Sequence, residues 1–177
     1  SWAEAALALP LVLPPTVLGY YFIVAFAGKS LFGEPLVFSF TGLLVASLII
    51  NLPFAIQPIQ RAFEAIPPEI KEAAKVSGLN TWQRFRLIEL PLAWRGILSG
   101  AAMTFAHTLG EFGVVLMVGG AIPGETKTAS IAIYDKVQIF DTAGAGSLSL
   151  ILLLISLIAI AISYGVLGKP KAGSHRA

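Results

Sequence analysis

The sequence predicts an all-α membrane protein, with about four transmembrane helices in one domain and a helix–turn–helix set into a cytoplasmic loop. Three observations predict it. Apolar residues make up 56% of the 177 and charged residues only 12%, with a mean hydropathy of +0.80; an ordinary soluble domain carries about 25% charged residues. Runs free of Asp, Glu, Lys and Arg cover 5–28, 35–60 and 142–168, and a fourth over 96–124 is broken only by Glu111. Each run holds the ~20 residues that cross ~30 Å of hydrocarbon as a helix, and lipid leaves backbone amides no alternative to internal pairing. Finally, Lys and Arg alternate between rich and poor connecting segments, the pattern of positive-inside topology.

The first span is expected near 5–27. Ala25-Phe26-Ala27 imitates a signal-peptide cleavage site, but no basic region precedes the segment and its apolar stretch exceeds the usual ~7–15 residues. Pro10, Pro14 and Pro15 fit a kinked membrane helix whose neighbours satisfy the freed carbonyls. The second span is expected near 36–58. The segment 28–35 between them holds one basic residue, Lys29, whereas 61–95 holds six. That asymmetry places 61–95 in the cytoplasm and, with the later segments, both termini of this chain as well.

The loop 61–95 holds ten of the 22 charged residues, so it meets water or a protein partner. Pro67-Pro68 ends the preceding segment, and Pro68 suits a first helical position. Glu69 and Glu72 complement the dipole of the helix that follows. Gly78 supplies a left-handed C-cap. Asn80 or Thr81 caps a second short helix that carries Trp82 and Phe85 on one face, and Pro91 is expected to end it before a third span near 96–118. An external loop over 119–146 is Gly-rich at first and helical in pattern around 130–139. A fourth span is expected near 147–167, and a polar tail fills 169–177. The membrane domain thus covers 1–168.

Glu72-Ala73-Ala74, three residues, Gly78, nine residues, then Ile88-Glu89-Leu90-Pro91 resembles the EAA motif of ABC importer permeases at every fixed position. A bare E-A-A triplet would fit an amphipathic loop lying on the membrane equally well; the Gly and the I-x-L-P at the right distances favour the resemblance. It implies a type I importer permease fold in which Glu72, Ala73, Ala74, Gly78, Trp82 and Phe85 couple to a cytoplasmic ABC ATPase subunit. Small Ala73 and Ala74 suit close helix approach, and Gly78 the sharp turn.

His107-Thr108-Leu109-Gly110-Glu111-Phe112-Gly113 and Ile122-Pro123-Gly124-Glu125-Thr126-Lys127-Thr128 resemble the molybdate branch of these permeases, as do Leu11–Tyr20 and Ser130–Asp135. Sulfate and tungstate permeases share much of the pattern and stay open as alternatives. The resemblance covers 5–167. It implies a homodimer around one path in the cell (inner) membrane, an external molybdate-binding protein, and at least one more span ahead of the first one here. ATP and Mg belong to the partner ATPase, with no cofactor in this chain.

His107, Gly110, Glu111 and Gly113 are the candidates for the translocation path or gate. An acidic group inside a span is a functional candidate by default, yet Glu111 would repel a dianion. A packing or gate role held by hydrogen bonds is therefore favoured over substrate contact. His107, four residues earlier on the same helical face, is expected to share a proton or hydrogen bond with it. Gly124, Glu125 and Thr126 are the candidates for contact with the binding protein. Gly96 and Gly100, with Ala102, Ala106 and Gly110, have small-xxx-small spacing that serves either packing within the chain or a dimer seam. Ser47, Thr104 and Thr108 are among the span hydroxyls, most of which bond back to their own helix.

Other functions fit poorly. A net charge of +2 gives no reason to expect nucleic acid, and no Cys and only two His leave no ligands for a His/Cys metal centre. Gly28-Lys29-Ser30 imitates the end of a phosphate-binding loop, but Ile23 stands where that loop needs Gly. Asp135 and Asp141 lie outside the spans, so no intramembrane aspartyl site forms. The chain is expected to be a transport subunit rather than an enzyme; a stand-alone channel or scaffold is the reading from another class.

Overall fold

Helix α1 (Trp2–Val12) and helix α2 (Pro15–Phe26) meet end to end at Leu13-Pro14. The computed structural model describes residues 2–28 and 35–167; the 169–177 tail and most of the 28–35 segment lie outside the described residues. The region expected as one kinked span is thus two helices of 11 and 12 residues. The cause is chemical: Pro14 and Pro15 carry no N–H to continue the α1 ladder, and Pro15 takes the first position of a new helix.

Helix α3 (Phe40–Glu64) begins where the Ser39 hydroxyl accepts from Gly42 N at 3.1 Å and runs beyond the expected end at 58 despite Pro53 and Pro58. Helix α4 (Pro68–Val76) starts on Pro68 and stops before Gly78, whose φ of +75° is the left-handed geometry that a Gly adopts without strain. Asn80 then caps helix α5 (Thr81–Arg84) through a reciprocal pair of bonds with Gln83, 2.9 and 3.0 Å long.

Pro91 does not end this second helix, contrary to expectation. A π-helical stretch, Phe85–Glu89, joins α5 to helix α6 (Leu90–Gly110), and the axis continues from Thr81 to Gly110. A proline normally clashes with the carbonyl four residues back and leaves it unbonded. The wider π turn directly before Pro91 supplies the slack, since its i→i+5 pairing accommodates an extra residue. The second break falls instead at Glu111-Phe112. There the chain bends by 62° into helix α7 (Gly113–Gly119), so the span expected at 96–118 is a bent pair.

Helix α8 (Ala129–Gln138) follows, and then helix α9 (Thr142–Leu167), which begins five residues ahead of the expected fourth span. The Asp141 carboxylate caps α9 by accepting from Gly144 N at 2.8 Å and from Lys136 Nζ at 2.7 Å. By length and apolarity, α3 and α9 each suffice to cross a membrane, and the bent α6–α7 pair makes a third among the described residues.

The core forms around α7, which α2 and α3 clasp. Val114 and Val118 pack with Ala46 and Ile50 of α3, with Leu18, Phe22 and Phe26 of α2 against them. On its other side Val115 meets Leu43 and Ile131. Helix α6 lies along α3, and the seam is made close by glycine: a side chain at Gly96 would collide with Ala62, and one at Gly100 would stand 2.9 Å from the Ala55 carbonyl. Those two members of the small-residue series therefore serve packing within the chain. Helix α9 touches α6 and α8 but leaves Leu150, Leu153, Leu157 and Ile158 more than half exposed, an apolar surface suited to lipid.

Candidate functional site

Three regions hold the residues singled out from sequence. The first is the turn between α4 and α5. Lys71 Nζ donates to the Phe63 carbonyl at 3.1 Å, tying α4 to the end of α3. Within the triplet, Ala74 is buried and packs α4 inward, while Glu72 and Ala73 are exposed. Phe85 sits in a stack between Phe63 and Trp82, at ring separations of 5.9 and 5.7 Å. Trp82 is 65% exposed and Val76 89%. The turn thus presents Glu72, Ala73, Val76, Gly78 and Trp82 on a surface braced from behind by Ala74 and Phe85. An Arg84–Glu89 pair at 2.9 Å spans the π segment.

The second region is the break after α6. Glu111 is not on a helix face: its backbone is extended (ψ 127°), and its side chain reaches α3. Glu111 Oε2 accepts from Ser47 Oγ and from Asn51 Nδ2, both at 3.2 Å. His107 Nδ1 lies 3.0 Å from Asn51 Oδ1, and Phe54 stacks on the imidazole with centroids 3.7 Å apart. The hydrogen bond expected between His107 and Glu111 therefore runs through Asn51, because α6 has ended at Gly110 and the one-turn register between the two residues is lost. Glu111 Oε1 is buried and has no hydrogen-bond partner among the described residues. The Glu111 carbonyl, freed by the break, accepts from Ser130 Oγ of α8 at 2.7 Å. A bent helix stays affordable inside a membrane when neighbours satisfy its loose backbone groups in this way.

The two helix breaks face one another. Between Pro10 and Pro15 on one side and His107, Gly110, Glu111 and Gly113 on the other lies a cavity of about 440 Å³. Gly113 is close-packed there, since a side chain on it would stand 3.0 Å from Pro15 Cβ. A second cavity, about 260 Å³, reaches Glu111 from the side of Ser47, Thr108, Thr128 and Ser130. All four gate candidates thus line one cavity. Asn51 and Ser130 are the members that sequence reasoning missed, and Ser47 was read only as one of the span hydroxyls. Asn51 was findable as the one Asn in the 35–60 run, a residue type that hydrogen-bonds between membrane helices. Thr104 and Thr108 bond back to the carbonyls of Gly100 and Thr104, both at 2.8 Å, as expected of helix hydroxyls.

The third region is the turn after α7. Gly120 and Gly124 have φ of +68° and +80°, and Glu125 is exposed. Thr126 corrects the expectation of a contact residue: it is 1% exposed, donates to the Gly119 carbonyl, and accepts from Ile122 N at 2.9 Å. Its hydroxyl closes the turn from inside, so of the three candidates Gly124 and Glu125 remain on the surface.

Comparison with known proteins adds to this geometry. Residues 2–169 match the family described as binding-protein-dependent transport system inner membrane component. The molybdenum transport system permease protein ModB of Azotobacter vinelandii is 42% identical over 168 residues, covering 90% of this chain and 74% of that protein. The protein of the same name in Escherichia coli K12 is 34% identical over 169 residues, with the same coverage of both chains. The sulfate transport system permease protein CysT of E. coli K12 is 31% identical over 162 residues, covering 88% of this chain and 58% of its own length. With its multiple apolar helices, its exposed Glu72–Trp82 turn and a match across nearly its whole length, the chain belongs to the inner-membrane permease family of binding-protein-dependent transport systems.

Proposed function

We propose that this chain is the membrane permease subunit of an ATP-driven importer of molybdate. Two copies enclose one path, a cytoplasmic ABC ATPase hydrolyses ATP with its own Mg, and an external binding protein delivers the ion. The observation that carries the reading is the uninterrupted axis from the exposed turn at Asn80 to the Glu111 break, which links a partner-facing surface to a polar cavity among apolar helices. The molybdenum permeases at 42% and 34% identity support the cargo.

In this reading the ATPase meets Glu72, Ala73, Gly78 and Trp82, with Ala74 and Phe85 holding that surface in shape. His107, Gly110, Glu111 and Gly113 form the gate, with Glu111 retained by α3 rather than offered to a dianion. Gly124 and Glu125 meet the binding protein. The 61–95 segment and both termini of this chain face the cytoplasm. Sulfate is the second reading, favoured by the 31% identity to a sulfate permease.

Reconstitution of the full-length gene product with its ATPase and binding protein tests this. Labelled molybdate should enter vesicles with ATP, compete with tungstate, and be displaced little by sulfate. Displacement by sulfate at equal concentration would move the assignment to sulfate import. Because nothing lies within 4 Å of a side chain placed on Gly78, the backbone angle alone should decide its variants. Gly78→Asn, which tolerates positive φ, should copurify with the ATPase, and Gly78→Val should not. Equal copurification of both would remove the turn from the coupling surface.

A further inference from the structure

The Ser47 carbonyl sets which way Asn51 points. It is 2.8 Å from the amide nitrogen, and a carbonyl can only accept, so Nδ2 is the atom that faces it. Glu111 Oε2, 3.2 Å from the same nitrogen, agrees. Asn51 Oδ1 is then the atom turned to His107 Nδ1, and it too can only accept. Nδ1 therefore holds a proton whether the ring is neutral or charged, and protons come and go at Nε2. Among the described residues Nε2 has no hydrogen-bond partner, and the ring lines the 440 Å³ cavity.

Asn51 also keeps His107 and Glu111 apart. An amide does not titrate near neutral pH, so the pair cannot collapse into a direct, permanent ion pair. Around the cavity, α1 and α2 bring Pro10, Pro15 and Leu18, α3 brings Ile50, and α7 brings Val114. Glu111 is thus the only other ionisable group lining the cavity among the described residues. Phe54, stacked at 3.7 Å, presents a π face that favours a cationic ring.

We infer that His107 Nε2 is an oxyanion contact that takes a proton from water as the ion enters the cavity and returns it as the ion leaves, with Asn51 as the positioning residue that reserves Nε2 for this exchange. The inference deepens the importer reading and rests on it. A Lys or Arg at this place would hold a dianion permanently, whereas transport needs a site that lets go. A histidine near its titration midpoint gains charge when the anion is there to stabilise it and sheds it when the anion leaves. By linkage, the proton tightens anion binding by the same factor as the anion tightens proton binding. About tenfold is expected, which is one unit in the pH at which the ring titrates.

The experiment assembles the ¹⁵N-histidine-labelled chain, with His175→Ala, on its unlabelled ATPase in lipid nanodiscs, and follows the ring nitrogens from pH 5 to 8. Without oxyanion the neutral ring should carry its proton on Nδ1, and saturating molybdate should raise the titration midpoint by about one unit. Asn51→Ala should give mixed tautomers. In vesicles, uptake should weaken as pH rises through the histidine range, and His107→Gln should flatten that profile while still copurifying with the ATPase. An Nε2–H tautomer in the wild-type chain, or a midpoint that molybdate leaves in place, would overturn the inference. Failure of the importer reading looks different: an assembled wild-type complex that moves no oxyanion at any pH. The ring titration decides the anion contact even then.

Discussion

Asn51 joins α3, α6 and the break after α6 with one amide. Its nitrogen holds Glu111 and its oxygen holds His107, and it stands on α3, opposite the α6–α7 break. Removing it without a polar replacement leaves a carboxyl and an imidazole short of protein partners among apolar helices. Asn51→Leu should therefore destabilise the chain by about 2–3 kcal/mol, the cost of buried polar groups left unpaired, measured by thermal unfolding in detergent. No loss would show that water replaces the amide freely. This residue was hidden for a definite reason: a search for charge in the spans finds Glu111 and passes over an uncharged amide. His107 and Glu111 were legible as a pair from their spacing, but the bridge between them comes from α3, 56 and 60 residues away. Thr126 was misjudged for the related reason that a turn residue can point inward when its hydroxyl supplies the bonds that close the turn.

At the scale of elements, the helix ends set by a local cap were read better than the rest. Pro68, Gly78 and Asn80 act where local rules put them, because caps depend on a few neighbouring residues. The passage through Pro91 and the break at Glu111 depend on what packs alongside, which no local rule contains. The start of α9 gives a pH prediction. The Lys136 ammonium, followed by the Gly144 amide, holds the exposed Asp141 carboxyl below its ordinary range. A depressed folded value means that the stabilisation is present above the ordinary carboxylate range near pH 3.9 and is lost as pH falls through the lowered value. The gap in melting temperature between wild type and Asp141→Ala should be steady from pH 8 to about 5 and close at more acidic pH. A gap unchanged at pH 3 would mean that the cap acts without its charge.

For the whole molecule, membrane character was plain from composition, since 12% charged residues is half the ~25% of an ordinary soluble domain. The arrangement of helices was not, because apolar runs show that segments enter lipid but not which neighbours they choose. Exposure in the isolated chain also mixes two surroundings, and a charge separates them. Leu157 on α9 and Val76 on α4 are both well exposed, yet one should face hydrocarbon and the other water. Leu157→Arg should lower membrane insertion by about 2.5–3.5 kcal/mol, and Val76→Arg should leave it unchanged, as read by the membrane-bound fraction of newly made chain. Equal effects would contradict the placement of α9 against lipid. The π turn before Pro91 has a mechanical meaning as well. About 30 residues from Thr81 to Gly110 form a strut some 45 Å long at about 1.5 Å per residue. Tilting such a strut by about 5° about one end carries the other through about 4 Å, more than the radius of a water molecule. A hinge at Pro91 would have absorbed that swing; without one, the movement arrives at the Gly110 tip, where the chain bends and two broken helices meet.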